Sequence, residues 1–70
     1  MKENLIRDDQ LLSTEELAKH TGFTPRFWAA RRITGNTPPY IALSKRAIRY
    51  RWGDVCKWLD KYTKTNTSNQ

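Results

Sequence analysis

Between Ser13 and Gly35 the chain twice spells a helix start followed by a helix stop, and this punctuation limits the fold more than any other feature. Ser13-Thr14-Glu15-Glu16 is a capping box: the Ser13 hydroxyl accepts from the Glu16 amide, and the Glu16 carboxylate accepts from the Ser13 amide. The helix it opens carries Leu17 and Ala18 inward. It ends near Thr21-Gly22, where glycine can take the left-handed conformation that closes a helix. Phe23-Thr24-Pro25-Arg26-Phe27-Trp28 is a second and stronger start. Thr24 caps the free amides, Pro25 fits the first helical position, and Phe23 packs on Trp28 as a hydrophobic staple. This helix is predicted to run to about Thr34 and stop at Gly35. Two short helices joined by a tight Thr21-Gly22-Phe23 turn form a helix-turn-helix pattern, a corner that many helical proteins also contain.

After Gly35-Asn36-Thr37-Pro38-Pro39, which cannot continue a helix, the pattern changes period. Tyr40-Ile41-Ala42-Leu43 and Ala47-Ile48-Arg49-Tyr50-Arg51-Trp52 read as two strands around Ser44-Lys45-Arg46. In the second strand Ile48, Tyr50 and Trp52 fall on one face, and Arg49 and Arg51 on the other. A last helix is predicted from about Gly53 to Tyr62, with Val55, Trp58, Leu59 and Tyr62 at spacings of three and four. Residues 1–10 mix charges without apolar period, and residues 63–70 are wholly polar. The expected organisation is a flexible N-terminal segment over 1–10, one domain over 11–62 and a disordered polar tail over 63–70. The fold class is small α+β, mainly α, with three short helices and a two-stranded β-hairpin.

Seventy residues allow one domain, which at this size buries only about 60% of its unfolded surface. One cysteine, Cys56, and one histidine, His20, exclude a disulfide within the chain and a zinc cluster. The core must therefore be packed from the aromatics, of which Trp28 and Trp58 are the anchors. Both Cys56 and His20 read as ordinary helix residues. No phosphate-binding glycine loop and no nucleophile with a base is present. Neither catalytic residues, a metal, a cofactor nor a small-molecule substrate is expected. No run approaches the roughly 20 apolar residues of a membrane span, and the N-terminus is too polar for a signal peptide. The expectation is a cytoplasmic protein.

Charge narrows the function. The chain carries 13 Lys and Arg against 7 Asp and Glu, a formal net charge of +6. No acid lies between Glu16 and Asp54, a window that holds Lys19, Arg26, Arg31, Arg32, Lys45, Arg46, Arg49 and Arg51. Such a segregated field on folded elements points to a polyanion, and to duplex DNA before others. An anionic membrane surface would call for cations along one amphipathic helix, whereas half of these sit on the strand pair. With Trp28 inward, Arg26, Ala30 and Ile33 fall on the outer face of the second helix, flanked by Phe27 and Ala29. Arg26 is the leading base-reading residue, because arginine donates two hydrogen bonds to guanine. The alternative is a solvated helix residue beside alanines that serve helix propensity. Arg31 and Arg32 lie nearer the Trp28 side and either reach phosphates or cover aromatic surface. Lys45 and Arg46 at the tip, with Arg49 and Arg51 behind, form the pattern of a wing gripping backbone or minor groove. Charges on an exposed hairpin also serve to block edge pairing.

The ordered motifs Leu11-Leu12-Ser13-Thr14-Glu15-Glu16-Leu17-Ala18, Gly22-Phe23-Thr24, Pro38-Pro39-Tyr40-Ile41 and Arg49-Tyr50-Arg51-Trp52-Gly53-Asp54-Val55-Cys56-Lys57-Trp58-Leu59 resemble those of the AlpA-like, excisionase-type regulators. These are small MerR-like winged helix-turn-helix proteins of phages and integrative elements. The resemblance spans about residues 11 to 62. It implies a second helix in the major groove, a wing on the neighbouring minor groove or backbone, and a role in transcriptional control or excisive recombination on the nucleoid. It also implies an integrase or recombinase, or further copies of the chain on DNA, as partners. The candidate DNA-binding residues are then Thr24, Arg26, Phe27, Ala30, Arg31, Arg32, Lys45, Arg46 and Arg49. The chain departs from the family in having Arg31 where tryptophan is frequent and Ser44 where the wing usually turns on glycine. Two readings compete with duplex binding. One is a protein-interaction module docking its charged face to an acidic partner such as a recombinase. The other is RNA binding, which usually exposes aromatics on a sheet.

Overall fold

The structure, a computed structural model, describes residues 6–64. The elements run β1 (Leu11–Leu12), α1 (Thr14–Thr21), α2 (Pro25–Thr34), β2 (Tyr40–Ala42), β3 (Ile48–Arg51) and α3 (Trp52–Asp60). The result is a small α+β unit of three helices and one antiparallel sheet.

Both punctuated helices form as their caps dictate. The Ser13 N–H donates to Glu16 Oε1 at 2.8 Å, and the Glu16 N–H donates to Ser13 Oγ at 3.1 Å. Gly22, at φ 82°, closes α1 by donating its N–H to Ala18 O. In α2 the Phe27 N–H donates to Thr24 Oγ1 at 3.0 Å, Pro25 opens the helix, and Gly35 closes it at φ 92°. A side chain at either glycine would sit in the left-handed region that L-residues avoid.

The sheet is where the expectation needs correction. It has three strands in the order β1-β3-β2, not two. Leu11 pairs with Arg51 and Leu12 with Tyr50, so the segment before α1 adds itself to the far edge of β3. On the other edge Tyr40, Ile41 and Ala42 face Tyr50, Arg49 and Ile48. A two-residue strand shows no period of two, which is why the sequence pattern hides it. Trp52 is also reassigned, from the end of a strand to the first residue of α3. Its N–H donates to Gln10 O at 3.0 Å, and the Gly53 N–H donates to Asp8 O at 2.8 Å. These two acceptors replace the missing side-chain cap of α3. Of the segment expected to be flexible, residues 1–5 lie outside the described residues, while Ile6 packs against the core and Asp8 and Gln10 hold α3. Residues 65–70 of the expected polar tail likewise lie outside.

The core comprises Leu12, Leu17, Ala18, Trp28, Tyr50, Val55 and Trp58. Trp28 is fully buried, and its ring lies 5.0 to 6.0 Å from those of Phe23, Phe27, Tyr50 and Trp58. The Trp28 Nε1–H donates to Thr21 Oγ1 at 3.3 Å, so the one polar atom of the indole is partnered as burial requires. Helix α3 ends at Asp60 rather than Tyr62. Tyr62 nevertheless packs on Trp58 at 5.0 Å and donates its hydroxyl to Asn36 Oδ1 at 3.0 Å, tying the segment after α3 to the exit of α2.

Candidate nucleic-acid interface

A groove of about 540 Å³ opens where the start of α1, the first two turns of α2 and the β2–β3 turn converge. Helix α2 contributes Pro25, Arg26, Ala29 and Arg32, residues that share a face at spacings of three and four. The β2–β3 turn and β3 contribute Lys45, Arg46, Ile48 and Arg49, and the α1 start contributes Ser13, Thr14 and Glu15. Five cations thus face one acid in one concavity, although they come from chain positions up to 23 residues apart. Their summed positive charge suits the groove to an anionic ligand.

Local structure explains each position. Arg26 is exposed one residue into α2, where Pro25 and the Thr24 cap fix the backbone. Lys45 and Arg46 stand on a turn built by Ser44, whose Oγ accepts from the N–H groups of Arg46 at 3.2 Å and Ala47 at 3.1 Å. No non-glycine residue has positive φ among those described, so serine serves here without a left-handed backbone. Arg32 lies at the inner wall. It donates through Nη1 to Tyr50 Oη at 2.6 Å and to Thr14 Oγ1 at 3.2 Å, and its guanidinium lies 5.9 Å from the Tyr40 and Tyr50 rings. One side chain therefore links α2 to α1 and to the sheet. Arg49 donates to Ile48 O at 2.8 Å and stands close enough to Glu16 to help hold its carboxyl below the ordinary value. The larger cause of that lowering is the Ser13 backbone hydrogen bond of the capping box.

Of the nine candidates, Arg26, Arg32, Lys45, Arg46 and Arg49 meet in this groove, and four do not. Thr24 is occupied as the cap of α2. Phe27 is half-buried and stacks on Phe23 at 4.6 Å. Arg31 turns away, with its guanidinium 5.1 Å from the Phe27 ring and 5.8 Å from the Trp58 ring. Its guanidinium thereby covers aromatic surface rather than facing the groove. Ala30 is exposed but outside the lining, and Ala29 takes its place. The α2 face turned to the groove is thus rotated by one residue from the Arg26, Ala30, Ile33 face read from Trp28 alone. That reading fixed which side is buried but not which outer stripe the sheet would approach.

Arg51 also parts from Arg49. It lies 3.7 Å from Asp54 and lines a second depression of about 360 Å³ with Asp8, Asp9, Asp60 and Lys57. Cys56 lines the same depression, and burial, with Asp8 and Asp60 nearby, pushes its thiol above the usual range and makes it a poor nucleophile. Among the described residues no cluster of His, Cys, Asp and Glu could hold a metal ion, and no helix is long and apolar enough to cross a membrane. No family model, no curated protein and no solved structure matches this chain.

Proposed function

We propose that the chain is a sequence-specific double-stranded DNA-binding protein of the winged helix-turn-helix kind, with α2 in the major groove and the β2–β3 hairpin as the wing on backbone or minor groove. The resemblance to AlpA-like and excisionase-type regulators supports a role in transcriptional control or excisive recombination of a mobile element. The observation that carries the reading is the single basic groove shared by α2 and the β2–β3 turn. Arg26 stands near the start of α2, where a groove-bound helix meets base edges, and Ala29 is small enough to let the backbone approach. Lys45, Arg46 and Arg49 supply phosphate contacts that fix register without reading sequence. Arg32 holds the two surfaces at a set angle.

The test is fluorescence anisotropy of labelled duplexes from a selected site and from random sequence, titrated across about 50 to 200 mM salt. The three phosphate-reaching cations Lys45, Arg46 and Arg49 give a slope of log affinity against log salt of roughly −3. Arg26→Ala is expected to relax preference at one base position by about 1–3 kcal/mol. Lys45→Ala is expected to weaken every duplex alike and to reduce the slope by about 1. An affinity for duplex DNA that ignores salt would contradict the reading. Stronger competition by single-stranded RNA than by duplex would move it to RNA. Binding only to an acidic recombinase, without a DNA footprint, would make the chain an interaction module.

A further inference from the structure

We propose that Leu43 is an apolar wedge, which the β2–β3 turn inserts between base pairs from the minor groove and so bends the duplex. The proposal rests on the DNA-binding reading above. Leu43 leaves 84% of its surface in water, although it directly follows strand residues of the sheet. Its backbone is nevertheless tied down. The Leu43 N–H donates to Ala47 O at 3.1 Å, and the Ala47 N–H donates to Ser44 O at 3.3 Å and to Ser44 Oγ at 3.1 Å. A turn so bonded has little backbone freedom left to lose when its side chain docks.

The surroundings of Leu43 point to nucleic acid. Lys45 and Arg46 follow it at the tip, both exposed and both lining the basic groove. The register that sets Ile41 against Arg49 sets Leu43 against Ala47, so Leu43 and Arg49 lie on the same side of the hairpin. An apolar side chain beside cations is the arrangement with which minor-groove proteins unstack a base step: the cations hold nearby phosphates while the wedge enters the stack. Single exposed leucines are common on protein surfaces. This one differs in standing two residues before the Lys45-Arg46 turn that lines the basic groove. The occupant we assign it is therefore the unstacked base step of a duplex.

The experiment uses the full chain on duplexes carrying 2-aminopurine at successive positions, with donor and acceptor dyes at the ends to report bending. The unaltered protein is expected to brighten 2-aminopurine at one step and to bend the duplex by some tens of degrees. Leu43→Ala and Leu43→Ser are expected to abolish both signals and to weaken binding by roughly tenfold or more, with the salt slope unchanged because the lost contact is apolar. Leu43→Met, which keeps an apolar side chain of similar volume, is expected to retain both. Because Leu43 packs against little, far-ultraviolet circular dichroism should superimpose for all variants.

Normal duplex binding with a bend that Leu43→Ala leaves intact overturns the wedge while leaving the DNA reading in place. Absence of duplex binding by the unaltered chain removes that reading and the wedge with it. Leu43-dependent capture by phosphatidylserine vesicles, with duplex bending unaffected, overturns the wedge in favour of a lipid surface.

Discussion

Trp28 packs against four other aromatic rings, with its indole N–H engaged by Thr21, so it joins α1, α2, β3 and α3 at a single side chain. Truncating such a residue costs about 3–5 kcal/mol, against a total stability of roughly 4–10 kcal/mol for a chain of this size. Trp28→Ala is therefore expected to lower the melting midpoint by roughly 10 °C or more. A sigmoidal melt near that of the unaltered chain would contradict this assignment. Glu16 gives a prediction about pH. Its carboxyl is lowered from the ordinary 4.5, first by the Ser13 backbone bond. A group depressed in the folded state contributes stability that is fully present above its unfolded pKa and lost as pH falls through its folded pKa. Melts recorded downward from pH 5 should therefore fall faster for the unaltered chain than for Glu16→Gln. Parallel curves would mean that the capping box is absent in solution.

Each helix is secured differently, and the difference shows at α3. Helices α1 and α2 bring their own caps, whereas α3 borrows the carbonyls of Asp8 and Gln10. A Cβ placed on Gly53 would lie 3.1 Å from both Asp8 Cβ and the Asp8 carbonyl oxygen, which is also the acceptor of the Gly53 N–H. Alanine would ordinarily favour a helix over glycine by about 1 kcal/mol. Here the Asp8 backbone must give way and stretch the bond that caps the helix, so Gly53→Ala is expected to lower the urea midpoint. A raised midpoint would show that the 6–10 segment yields without loss. The β2–β3 turn is the other element whose chemistry is local. Ser44→Ala removes the acceptor shared by the Arg46 and Ala47 amides and should loosen the tip that carries Lys45 and Arg46.

For the molecule as a whole, charge is sorted into two depressions. One holds Arg26, Arg32, Lys45, Arg46 and Arg49 with Glu15 alone of the acids, and the other gathers Asp8, Asp9, Asp54 and Asp60 around Arg51 and Lys57. Glu15 is thus the natural brake on an anionic ligand in the basic groove. Glu15→Gln is expected to tighten duplex binding several-fold at low salt, with the gain shrinking as salt rises. Equal affinities at low salt would place the bound phosphates away from the α1 start. Arg32 joins the walls of that groove through Tyr50 and Thr14, so the groove's width depends on a contact between parts of the chain that are 18 residues apart.

The sequence by itself determined α1 and α2, because caps, the N1 proline and closing glycines act within a few residues and need no partner. It also determined that the acid-free window would be carried on folded elements, since the β3 alternation that buries Tyr50 turns Arg49 outward. The third strand, the borrowed cap of α3 and the choice of Ala29 over Ala30 were decided only by tertiary structure. So were the turn of Arg31 onto Phe27 and Trp58 and the separation of Arg51 from Arg49. Two-residue pairings leave no periodic trace. Which stripe of an exposed helix faces a neighbouring sheet depends on the packing angle around Trp28 and Tyr50, a quantity set by how the aromatic rings fit together.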